Sequence, residues 1–220
     1  EFAQNLSVFK SKVADYDKRI TSILHRALAS SQSLDICYRV LSAFGILLNR
    51  DALRHTVRSF HYSLLQLLTA QLHAASENFE FNKEIGGCIP VNMPPTAGAV
   101  AWARCLQDRV RIPLELFTSL DPEIFSTDDG KVCTQQCHAF ITLLQDFQDR
   151  LIQSFSADIN SKVKVKLKQN LLHRDVQSML HVNFDPQIVR LLREVKYFYQ
   201  FGIHVPDEAK AVYDRAEVLR

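Results

Sequence analysis

The sequence predicts a mostly α fold, an elongated stack of antiparallel helical bundles with one β-hairpin in its C-terminal part. Three observations carry this. Only six glycines and seven prolines punctuate 220 residues, and they cluster rather than spread, so long uninterrupted segments are expected. Apolar residues recur at helical spacing through most of the chain. The stretch around Lys162 to Lys168 departs from that pattern and alternates at period two.

From Phe9 onward, Val13, Tyr16, Ile20, Ile23, Leu24, Ala27 and Leu28 make the first helical stripe, and the serine-rich run from Ala29 to Ser33 marks a loop. Leu34 to Asn49 carries Ile36, Val40, Leu41, Phe44, Leu47 and Leu48 on one side, which predicts a second helix. A third is expected from about Asp51 to Ser76 on Leu53, Val57, Phe60, Leu64, Leu67, Leu68 and Leu72. Short connections make these three an antiparallel N-terminal bundle over residues 1–84.

The proline- and glycine-rich stretch from Ile85 to Gly98 cannot stay regular for long and is expected to be a linker, with a second bundle over residues 99–220. Thr96 is suited to cap the helix that carries Ala101, Trp102, Cys105, Leu106 and Val110, and Pro113 should kink it or end it early. A polar turn, SLDPEIFSTDDGK, precedes a long stripe from Cys133 through Phe140, Leu143, Leu144, Phe147, Leu151, Ile152 and Phe155.

Lys162, Lys164, Lys166 and Lys168 then alternate with Val163, Val165 and Leu167, which predicts a hairpin over about residues 162–184, pairing Val163–Leu172 with Met179–Phe184. A lysine row guards an exposed sheet edge, and that reading outweighs capture of an acidic partner. The next helix is specified at both ends: Asp185 can cap it, Pro186 suits its first position, and Gly202 suits the reversal after it. Ile188, Leu191, Leu192, Val195, Phe198 and Tyr199 form its apolar face, with Arg190, Arg193, Glu194 and Lys196 expected to pair on the outside. Val205 and Pro206 lead into one more helix, with Asp207 and Glu208 in its first turn.

Composition excludes several function classes. Twenty-six basic against twenty-four acidic residues leave a net charge of +2, too little to select nucleic acid or an acidic membrane. The five cysteines, Cys37, Cys88, Cys105, Cys133 and Cys137, have unrelated spacings and fit buried thiols in an intracellular setting better than a disulfide framework. No apolar run approaches membrane-spanning length, and no secretory signal opens the chain. Because the first residue is Glu1 and not methionine, the chain is expected to be a segment of a longer one.

Motifs that carry chemistry are absent from the pattern. Gly130 and Lys131 are the one Gly-Lys pair and lie in an acidic turn, so no phosphate-binding loop forms and ATP is not expected to bind. Cys133, Cys137 and His138 have the types of metal ligands, yet the two cysteines sit one turn apart on an apolar stripe without a second pair downstream. His25, His55, His61, His73, His138, His173, His181 and His204 are scattered and fit surface or satisfied core positions. Trp102 reads as core, because a stacking platform would need several exposed aromatics among basic residues.

Two longer stretches carry a resemblance. MPPTAGAVAWARCL, Met93 to Leu106, and HVNFDPQIVRLLREVKYF, His181 to Phe198, are similar in order and separation to two stretches of the amino-terminal tail of dynein heavy chains. DYDKRITSILHRAL and RVLSAFGILLNRDAL resemble the helical repeats of that tail, and the wording PPTAGAVAWAR is closer to axonemal heavy chains than to the cytoplasmic one. One departure is that such tails often carry a second tryptophan in the long helix before the hairpin, whereas Phe140 to Phe155 has none.

The resemblance implies a scaffold with no catalytic, cofactor or metal residue of its own. It implies structural roles for Pro94, Pro95, Gly98, Trp102, Arg104, Asn183, Phe184, Asp185, Pro186, Arg193 and Glu194. Lys162, Lys164, Lys166 and Lys168 are candidate partner contacts. It further implies other heavy chains, intermediate and light chains and axonemal docking proteins as partners, a place in the cytoskeleton of a cilium or flagellum, and a microtubule motor ATPase elsewhere in the parent chain. The reading of another class is a free-standing intracellular module whose basic hairpin docks an acidic peptide or nucleic acid; steep loss of affinity with salt would distinguish it.

Overall fold

The computed structural model describes residues 2–159, 172–182 and 186–218. The chain is mostly helical. It divides into two compact units, one made of Glu1–Glu77 with Gln107–Ile141 and the other of Asn78–Leu106 with Thr142–Arg220. Each unit therefore draws on two separate stretches of chain.

In the first unit, α1 (Phe2–Ala29) ends where the hydroxyls of Ser30 and Ser31 donate to the Ala27 carbonyl at 3.1 and 2.7 Å. These bonds satisfy a carbonyl that the helix itself leaves open. The expected second helix is shorter than its stripe. α2 (Leu34–Phe44) stops at Gly45, whose φ of +42° no helix continues, and a 3₁₀ turn covers Gly45–Asn49. The expected third helix is split at Phe60 into α3 (Asp51–Ser59) and α4 (His61–Asn82). Phe60 meets the His25 ring of α1 edge-on at 5.1 Å, and His61 reaches Asp121 at 3.0 Å. Tertiary contacts thus override the local periodicity. Leu24, Leu41, Leu53, Val57, Leu68 and Ile124 form the buried centre of this unit.

α5 (Pro95–Leu120) continues past Pro113 instead of ending there. Proline removes the N–H that would bond the carbonyl of Arg109, and the side-chain amide of Gln71 donates to that carbonyl at 2.5 Å. The lost bond is replaced by a side chain. A 3₁₀ turn, Pro122–Ser126, is capped by Asp121, and Thr127 accepts from the Gly130 N–H at 3.1 Å to start α6 (Asp128–Asp158).

In the second unit, β1 (Leu172–Arg174) pairs antiparallel with β2 (Leu180–Val182), with His173 opposite His181. The Asp175 carboxylate templates the turn by accepting from the N–H groups of Gln177 and Met179 at 2.8 and 2.9 Å. The ladder thus lies at the C-terminal edge of the expected first strand, and residues 163–171 fall outside the described part. α7 (Pro186–Gln200) closes as the sequence predicts: Gly202 has a φ of +67°, the Ile203 N–H bonds the Phe198 carbonyl at 2.9 Å and the Gly202 N–H bonds that of Tyr199 at 3.0 Å. α8 (Asp207–Val218) follows. Val100, Ile159, Leu191, Val195, Phe198 and Val212 are among the residues that form this unit's core.

Candidate functional site: a clasp between two motif segments

The start of α5 poses a hydrogen-bonding problem. A helix leaves the N–H groups of its first turn without intrahelical partners, and a buried start must find partners elsewhere. Pro94 and Pro95 carry no N–H, and Gly98 donates to the Pro94 carbonyl at 2.8 Å, so the donors of Thr96 and Ala97 remain. Glu194 of α7 takes both: Oε1 accepts from the Thr96 N–H at 2.9 Å and Oε2 from that of Ala97 at 2.7 Å. Thr96 therefore lies inside the helix and does not cap it. The cap comes from a carboxylate almost a hundred residues away.

Glu194 is 2% exposed, not on the outer face expected for it. It lies on the buried stripe of α7 with Leu191, Val195 and Phe198. A buried carboxylate at a helix start sits where the aligned peptide dipoles favour negative charge, and its bonds to N–H groups are of the stronger, charge-assisted kind. Two neighbours on α7 reinforce it: Arg193 and the Tyr197 hydroxyl both donate to the Asn92 carbonyl, at 3.0 and 3.3 Å. Asn92 has a φ of +72°, a left-handed conformation that asparagine tolerates better than most residues.

α5 answers in kind at the other end of α7. Arg104 donates to the Phe201 carbonyl at 3.0 Å and to Gln148 Oε1 at 3.2 Å, with its guanidinium 5.6 Å from the Phe201 ring centre. A cation thereby meets the negative end of α7. Two residues earlier on α5, Trp102 stacks on Phe79 at 5.8 Å, meets Phe147 edge-on at 6.2 Å and donates from Nε1 to Asn78 Oδ1 at 3.2 Å. Two glycines leave the space this requires. A Cβ on Gly98 would lie 2.4 Å from Ile89 Cγ2, and one on Gly87, whose φ is +87°, would lie 2.3 Å from the Trp102 ring.

The segments that meet here are the two stretches singled out in the sequence, and the family model described as dynein heavy chain, N-terminal region 1, matches residues 1–220. The chain belongs to this dynein heavy chain family. It is 29% identical, over its whole length, to the ciliary dynein beta chain of Heliocidaris crassispina and covers 5% of that protein. It is also 29% identical over its whole length to dynein axonemal heavy chain 11 of Sus scrofa, covering 5% of it. Against the flagellar outer-arm dynein beta chain of Chlamydomonas reinhardtii, 90% of the chain aligns at 24% identity and covers 4% of the relative. The chain thus spans about one twentieth of the length of these relatives.

In this dynein heavy chain region, Pro94, Pro95, Gly98, Trp102, Arg104, Arg193 and Glu194 come together in the clasp, while Pro186 opens α7. Asn183, Phe184 and Asp185 lie outside the described residues, as do Lys162, Lys164, Lys166 and Lys168. Asn78, Asn92, Gln148, Tyr197 and Phe201 complete the clasp and were not singled out in the sequence. The one signal that pointed to this arrangement is an acid on an apolar stripe, three residues after Leu191 and four before Phe198. Cys133 and Cys137 are buried in the first unit, where Thr69 Oγ1 lies 3.6 Å from Cys133 Sγ. Among the described residues no three metal-ligating side chains gather, and no helix is long and apolar enough to cross a membrane.

Proposed function

We propose that this region is a non-catalytic scaffold segment in the tail of an axonemal dynein heavy chain. In this reading it supports association between heavy chains, holds intermediate and light chains, and helps anchor the complex to axonemal docking proteins in a cilium or flagellum. The microtubule motor ATPase belongs to another part of the parent chain. The observation that carries the reading is the clasp: its polar side chains are used on helix ends and on one another, which stiffens packing.

The experiment places Glu194→Ala in the complete heavy chain and measures incorporation of the chain and its intermediate chains into axonemes, alongside ATP hydrolysis by the purified motor portion. Loss of incorporation with hydrolysis retained is the expected result. Normal incorporation in a variant shown to be locally unfolded would overturn the reading. For the 220-residue chain, ATP should give no thermal shift, because a ligand that binds the folded form alone must raise its stability.

A further inference from the structure

α1 carries an apolar row that its own unit leaves uncovered. Phe2, Phe9, Tyr16 and Ile23 recur every seventh residue and are 81%, 63%, 60% and 51% exposed. Leu6, which is exposed, and Val13, Ile20 and Ala27, which are half-buried, fill the alternate positions of the same repeat, so the pattern is a three-four seam. Residues 2–12 are all exposed, and the helix packs on α2 and α3 through the opposite flank, where Leu24 and Leu28 are buried. A seven-residue period is what keeps two helices in contact along their length, because each turn returns the seam to the partner. From Phe2 to Ile23 this seam extends about 30 Å at the rise of an α-helix.

The charges beside the seam decide its occupant. Lys12, Arg19 and Arg26, also seven apart, line its free flank, and Asp15 lies one step farther round. The other flank is already used, since Asp17 is held by Arg50 at 2.7 Å and Leu24 is buried. A second copy does not fit. Antiparallel pairing would set the two basic rows against each other, and parallel pairing would need the flank that packs on α3. We infer that α1 docks an amphipathic helix of a different polypeptide, one with a three-four apolar repeat and a row of aspartate or glutamate that faces Lys12, Arg19 and Arg26. This deepens the scaffold reading and rests on it. The test below uses purified components, so its failure would leave the axonemal incorporation result standing.

The probe is a fluorescein-labelled designed helix matched to the 28 residues of α1, with leucine along its seam and glutamate on both flanks. A twin with lysine in place of glutamate and vesicles rich in phosphatidylserine are the comparators. Anisotropy with the 220-residue chain at low salt should show the acidic helix binding about tenfold tighter than its twin, as three modest opposite-charge pairs would give. Added salt should shrink that ratio. Phe9→Ser combined with Tyr16→Ser should weaken the acidic helix about tenfold or more, and Lys12→Glu combined with Arg19→Glu should reverse the preference between the twins. All four residues are exposed, and circular dichroism with Trp102 fluorescence verifies folding. Equal affinity for the twins, or binding of neither by a folded chain, overturns the inference. Binding to vesicles without binding to the acidic helix would assign the face to a membrane surface. Sedimentation showing a dimer that the Phe9 and Tyr16 changes dissolve would assign it to a second copy.

Discussion

Replacing Glu194 with alanine removes both acceptors from the start of α5 at once. The Thr96 and Ala97 N–H groups lie 2.9 and 2.7 Å from the two carboxylate oxygens, and the Ala97 bond is fully buried. A hydrogen bond to a charged group contributes about 1.5–3 kcal/mol, so Glu194→Ala should cost about 3–6 kcal/mol. Glu194→Gln keeps the volume and one carbonyl oxygen, but turns an NH₂ group toward the second N–H. One neutral bond of about 0.5–1.5 kcal/mol survives, and the expected loss is about 2–5 kcal/mol. Two compact units need not unfold together, so the signal should come from within the second. Trp102 is the chain's one tryptophan and lies in that unit. With a urea slope of about 2 kcal/mol/M, a loss of 3 kcal/mol moves the fluorescence midpoint by about 1.5 M. Alanine should shift it more than glutamine. Shifts below about 0.2 M for both variants would show that the carboxylate does not hold the helix start.

Gly98→Ala should lower the same midpoint by about 1–3 kcal/mol, because the new methyl meets Ile89 Cγ2 at 2.4 Å, and adding Ile89→Ala should recover part of that loss. Gln71→Ala should cost about 0.5–1.5 kcal/mol by far-ultraviolet circular dichroism, and much less in a Pro113→Ala background, where the backbone regains its own donor to the Arg109 carbonyl. Cys88 and Cys105 are exposed and should react with Ellman's reagent in native buffer, while Cys37, Cys133 and Cys137 wait for denaturant. Cys133 makes this a test of access against charge. A hydrogen bond from the Cys137 thiol, with a lesser one from Thr69, pulls the Cys133 thiol below its ordinary value despite burial, so a third fast thiol would mean that burial does not protect it.

What was legible in the sequence were the signals that act within a few residues. The Schellman ending of α7 at Gly202 followed from one glycine after an apolar run, and the long α6 stripe from one repeating face. Signals that depend on distant partners were not legible. Phe60 looked like one more stripe residue, yet the chain breaks there, with its ring on His25 and the next side chain on Asp121. Pro113 predicts a kink or an early end, because nothing local reveals that Gln71 would satisfy the stranded carbonyl. Gly45 stands in the open, but the apolar stripe on both sides of it predicts one helical run, and the positive φ that ends the helix there is not written in the local pattern.

The clasp shows how such distant information can still be anticipated from hydrogen-bond accounting. A helix that starts with two prolines has no polar side chain at its cap and just two donors left in its first turn, at Thr96 and Ala97. A single carboxylate suits two adjacent N–H groups, because each of its oxygens can accept from one of them and its charge suits the helix start. Glu194 is an acid that interrupts the apolar stripe of a well-formed helix, and burying it without donors would be costly. Two unmet requirements, donors lacking an acceptor and a buried acid lacking donors, therefore identify each other without any contact between them being visible in the sequence. Arg104 and the Phe201 carbonyl obey the same logic at the opposite end of α7. With both helix ends committed to partners about a hundred residues away, neither segment can shift without stranding polar groups of the other.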